Sequence, residues 1–193
     1  MTDAPSPDQP GAEAVDPRPA TRIVEGRLTV GDLDEFLAAV DSIAEATGAV
    51  VQAFDADCVV DAAHLRLATR LAARAIARGE AVARDPAVEV LVYAAGRRQI
   101  DRALELGVSP GEQPAAVVVA DFGDVSDADR EPADLEAAVA AVERLLSPGA
   151  TLGDPDERAV RDYYDITDRE LDATAGGLPA VVRERVALLD VEK

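Results

Sequence analysis

The sequence predicts an α/β (α+β) fold, a mixed β-sheet of about four to five strands covered by helices. Three observations predict it. Short β-branched runs such as "AVVQAF" (49–54) and "AAVVVAD" (115–121) read as strands. Between such runs lie stretches whose apolar residues recur at helical spacing. Aspartates and glycines stand at the ends of those stretches, where helix caps belong.

Residues 1–20 hold five prolines and little apolar bulk. They cannot bury enough surface to offset ordering entropy, which predicts a disordered, acidic, Pro-rich tail ahead of a single domain over 21–193. "TRIVEGRLTV" (21–30) is the first strand. Asp32 caps a helix with Leu33, Phe36, Leu37, Val40, Ile43 and Ala44 at apolar positions, and Gly48 ends it. Strand 49–54 follows, then a helix from Asp61 to about Arg78, closed by Gly79. "VEVLVYA" (88–94) reads as a strand, Gly96 as a turn, and the next stretch as a helix to Leu106 stopped by Gly107. The run 115–121 is the most apolar and so the central strand. A helix with Leu135, Ala138, Val139, Val142, Leu145 and Leu146 on one face comes next. Short helices near 155–164 and 167–173 precede a last helix starting at Pro179.

Charge says more about function than the fold does. Thirty-eight acids face nineteen bases, for a net charge of −19, and Lys193 is the only lysine. That composition resembles proteins of salt-loving archaea, where carboxylates keep a surface hydrated and a Debye length of ~3 Å at ~1 M salt removes long-range repulsion. The single Cys58 makes no internal disulfide and fits a reducing cytoplasm. No internal lysine is available for a P-loop or a conventional kinase.

The positive charge is concentrated. From His64 to Arg102 eight arginines face four acids, a net +4, in a chain otherwise strongly negative. Arg66, Arg70, Arg74 and Arg78 recur every four residues and form one ridge, which reads either as a solvated face or as an anion-binding one. Gly96, Arg97, Arg98, Gln99 and Arg102 follow at a small-residue corner, where free N–H groups beside arginine forks suit phosphate. Gln99 caps its own helix or reads a base edge. His64 and Tyr93 fit best as packing residues.

An enzyme would have to rely on carboxylates, His64 or Cys58. Asp55, Asp57 and Asp61, or Asp124, Asp127 and Asp129, could crowd a metal, but neither set has the pattern of a calcium loop. No metal and no cofactor are expected. In the last helix Leu178, Val182, Val186 and Leu189 form a broad apolar stripe, which reads either as a well-buried terminal helix or as one serving the core and a partner's surface together.

"FDADCVVDAAHLRLATRLAARAIARGE", "VEVLVYAAGRRQIDRALELGV" and "VVRERVALLDVEK" resemble the small kinase-binding subunit of the KEOPS complex, the TPRKB or PRPK-binding protein family. The resemblance spans roughly 21–193 and is strongest over 89–107. It implies a non-catalytic, cytoplasmic subunit that binds the kinase/ATPase subunit and the single-stranded 3′ CCA end of tRNA. It would support threonylcarbamoyl-adenosine formation by a separate transferase subunit, with which its association is indirect. On that reading Arg74, Arg78, Gly96, Arg97, Arg98, Gln99 and Arg102 hold RNA, and Val182, Val186 and Leu189 meet the kinase. The Pro-rich tail and the acidic surface depart from the family. A protein-interaction adaptor that never touches RNA, or a small-molecule enzyme using carboxylates, would share much of this sequence pattern.

Overall fold

The computed structural model describes residues 16–191. Its centre is a four-stranded sheet in the order β2-β3-β1-β4, with β1 at Thr21–Val30, β2 at Val50–Asp55, β3 at Gly111–Ala120 and β4 at Ser147–Pro148. β1 and β3 pair along their whole length, from Thr21 opposite Ala120 to Val30 opposite Gly111. The helices are α1 (Leu33–Thr47), α2 (Ala62–Ala77), α3 (Pro86–Ala95), α4 (Ile100–Leu104), α5 (Leu135–Glu143), α6 (Glu157–Tyr164), α7 (Asp168–Ala173) and α8 (Gly177–Val191).

The strand β3 is central, as its composition demands. Residues 115–120 are all buried, without alternation, because helices cover both faces of the sheet. Val24, Leu28, Val51, Val117 and Val119 face α1 and α5, whereas Val50, Phe54, Ala116 and Val118 face α2 and α3. Outside that second layer α8 packs across α2 and α3. At the far edge β4 pairs only with Gly26 and Arg27. A Cβ at Gly26 would sit 2.6 Å from the Ser147 carbonyl oxygen, so that edge closes only over glycine.

The caps fall where the sequence puts them. Asp32 accepts the Glu35 N–H at 3.0 Å, Asp61 accepts the His64 N–H at 2.7 Å, and Gly48 ends α1 in the left-handed region. The last helix starts at Gly177, two residues before Pro179, and α4 is shorter than the spacing suggested.

One element changes character. Residues 88–94 are not a strand but the body of α3. Asp85 caps it, accepting the N–H groups of Ala87 and Val88, with Pro86 in its first turn. Val90 to Ala95 are all buried, and a helix surrounded by protein on every side loses the apolar periodicity that would mark it. The sheet therefore holds four strands and is antiparallel throughout rather than mixed.

The expected tail over 1–20 falls, for 1–15, outside the described residues. Residues 16–20 lie against the fold: Asp16 sits 3.7 Å from Arg70 and 3.8 Å from Arg74, and the Ala20 carbonyl accepts the Asp121 N–H.

Candidate interaction surfaces

The reassignment of α3 decides where the predicted RNA residues lie. The helices α2 and α3 form a hairpin. At one end His64 Nε2 lies 2.9 Å from the Ala94 carbonyl, and at the other the Glu89 carboxylate accepts the N–H groups of Val82 and Ala83. Arg74 and Arg78 stand at the Glu89 end, and Gly96 to Arg102 stand at the His64 end. Fourteen helical residues separate His64 from Arg78, or about 20 Å. The expected single patch is thus two clusters at opposite ends of a hairpin. The reason is local: the corner at Gly96 follows a helix, not a strand, and the chain has already turned back once.

At the corner, Gly96 closes α3 with φ 60°, and a Cβ there would lie 3.3 Å from the backbone of Arg185 on α8. Arg97 turns inward. Its guanidinium donates to the Tyr163 carbonyl at 2.6 Å and to Asp165 Oδ2 at 2.7 Å, and lies 5.7 Å from the centre of the Tyr163 ring. Tyr163 in turn donates its hydroxyl to the Arg102 carbonyl at 2.8 Å. Arg97 therefore clasps the corner to the end of α6, and it holds the Asp165 carboxyl below the usual carboxylate range. Arg102 pairs with Glu105 at 2.8 Å. Arg98 and Gln99 are exposed, and Gln99 makes no side-chain cap bond.

At the other end Arg74 is bound by Asp190, which the Tyr93 hydroxyl also contacts, and Arg78 is the exposed C-cap of α2. Tyr93 is a core residue, as expected. So is His64, which is fully buried; burial drives its pKa down to about 4 despite the bond to the Ala94 carbonyl.

Val182, Val186 and Leu189 lie within the chain's own core, at 0%, 0% and 4% exposure. Val186 and Leu189 pack towards α2 and α3, and Val182 joins Val160 and Tyr164 of α6. Their stripe fastens α8 to the fold. The apolar side chains that α8 turns outward are Leu188 and Val191.

A different apolar surface emerged. A groove of about 420 Å³ runs along the free edge of β2, with α1 on one side and α3, α4 and the following loop on the other. Its lips carry Leu37 and Leu104, each about half exposed. Asp55 N–H, at the end of that edge, is taken by the Leu106 carbonyl, and Arg130 donates to the Gly48 and Ala49 carbonyls at the other end. The middle of the edge, at Val51 and Ala53, is turned towards the groove. Leu37 was legible only as one more apolar position of α1; that it overhangs an unpaired edge depends on strand order.

Among the described residues no group of three or more His, Cys, Asp or Glu side chains is gathered that could hold a metal ion. Asp55 and Asp61 are engaged as caps, and Asp61 also pairs with Arg183. Burial and the carboxylates of Asp55, Asp57 and Asp156 push the Cys58 thiol up to about 12. It stays protonated near neutrality and is a poor nucleophile.

The model of one protein family, described as kinase binding protein CGI-121, matches residues 34–190. No curated protein sequence matches the chain.

Proposed function

The chain belongs to the CGI-121 family of kinase-binding proteins, and from that premise we propose that it is a non-catalytic subunit of a KEOPS-type complex. In this reading it docks on the complex's kinase/ATPase subunit and holds the 3′ CCA end of tRNA. It thereby supports threonylcarbamoyl-adenosine formation in the cytoplasm of a halophilic cell. The family match, spanning every element from α1 to α8, is the observation that carries it.

The groove beside β2 is the surface best suited to the kinase. It joins exposed Leu37 and Leu104 to a strand edge that faces the groove at Val51 and Ala53. The Ala53 carbonyl now accepts from Gln52 Nε2, a side chain that an extended segment would displace, and main-chain pairing at a sheet edge is a general mode of docking. Leu104→Asp should leave the fold intact, because the side chain is about half exposed, and should abolish co-purification with the kinase subunit. Recovery of the variant complex at wild-type yield would move the docking surface elsewhere.

For tRNA, the candidates with exposed guanidinium groups at the corner are Arg98 and Arg102, the latter in a surface pair with Glu105 that an RNA phosphate would compete for. Replacing both by glutamate should weaken a tRNA gel shift at the native salt concentration and leave kinase binding unchanged. An unaltered shift would favour an adaptor that does not touch RNA.

A further inference from the structure

The segment 16–20 brings a third arginine to the ridge of α2. Arg18, Arg66 and Arg70, with Pro19 and Thr21, line one hollow of about 300 Å³ between the start of β1 and the outer face of α2. We propose that this hollow is a seat for a phosphate-bearing anion, gripped by Arg18, Arg66 and Arg70.

The position of Arg18 is built rather than incidental. Asp16, on one side of it, reaches Arg70 and Arg74. On the other side the Thr21 hydroxyl donates to the Pro19 carbonyl, and the Ala20 carbonyl accepts the Asp121 N–H at the end of β3. The backbone is thus anchored on either side of Arg18, whose exposed side chain lines the hollow together with those of Arg66 and Arg70.

Like charges gather at the hollow. In a chain of net −19, three cations line one hollow, and among the described residues the carboxylate beside them is Asp16, which reaches Arg70. Among the described residues neither Arg18 nor Arg66 has a carboxylate within ion-pair distance. The contacts of Asp16 with Arg70 and Arg74, at 3.7 and 3.8 Å, are longer than hydrogen bonds, so they leave N–H donors unused. Arg66 and Arg70, four residues apart on α2, repel each other. A tetrahedral anion would neutralise the group and accept from several forks at once, the geometry in which arginine outperforms a point charge. Contacts this short also survive strong screening.

Two sources carry that chemistry, the phosphodiester backbone of an RNA and a free polyphosphate. The seat lies on the ridge the RNA reading uses, but it does not depend on that reading. The test titrates inorganic pyrophosphate and, separately, a short single-stranded RNA into the full chain at constant ionic strength set with chloride. It compares wild type, Arg18→Gln, Arg66→Gln/Arg70→Gln, and Arg158→Gln as a remote control. These surface substitutions should leave the melting temperature nearly unchanged.

Affinity should fall about tenfold or more for each arginine removed and stay unchanged in the control. Loss for RNA alone assigns the seat to a nucleic-acid backbone. Loss for both probes, or for pyrophosphate alone, also supports the seat. In the last case RNA binding that is absent from wild type would end the RNA reading while the seat stands. The proposal is overturned if wild type binds neither probe. It is equally overturned if it binds them with an affinity that the Arg18 and Arg66/Arg70 variants share.

Discussion

At His64 the energetic burden of burial falls on one protonation state. The ring lies within the core against the Ala94 carbonyl and the Tyr164 hydroxyl, which itself donates to Ala94. Its folded pKa is about 4, below an unfolded value near 6.5. The unfolded chain therefore binds the extra proton first, so stability is complete above about 6.5 and is lost as pH falls from there towards 4. Between pH 7 and pH 5 the loss should be about 2 kcal/mol. Urea midpoints should show this loss in the wild type and less than half of it in His64→Gln; parallel curves would remove His64 from the acid response. Arg97 carries a related lesson. Its sequence context marked it as a free fork beside a glycine, yet two acceptors 66 and 68 residues away occupy it.

On the scale of elements, α8 is the clearest case. Apolar spacing identified its stripe, and the structure gives that stripe to the core. Val186→Arg would bury an unpaired charge among α2 and α3 residues, at a cost of about 4 kcal/mol or more. Its expected signature is loss of the cooperative melt of the isolated chain, not selective loss of a partner. A variant that melts like wild type would show that the α8 stripe is not needed in the core. Helix ends were readable from Asp32, Gly48 and Asp61 because capping is local chemistry. The strand β3 was readable because no surface element is apolar for six residues running. The helix α3 was missed because burial on every side erased its period, although Asp85-Pro86 is a helix-start signal that outweighs a β-branched run. That reassignment separates Gly96 to Arg102 from Arg78 along the hairpin. A second helix of the same hairpin runs back to the beginning of α2, which puts the Gly96 corner at the His64 end. The β2 groove could not be read at all, since it depends on which strand lies at the edge.

Across the whole molecule, Arg74 links parts of the chain that are remote in sequence. One guanidinium meets Asp16, ahead of β1, and Asp190, in the last turn of α8. The polypeptide's two described ends thus converge on a single side chain, and the path between them is almost a closed ring. A circular permutant should therefore be permitted: Val191 joined by a short Gly-Ser linker to Asp16, with new ends opened in the exposed turn between Ser126 and Asp127. It should melt cooperatively within a few degrees of the parent, and a permutant that stays unfolded would show that the order of synthesis matters to the fold. Partners fused directly at Asp16 and at Val191 would leave the fold side by side, close enough for the two to be brought together on one scaffold.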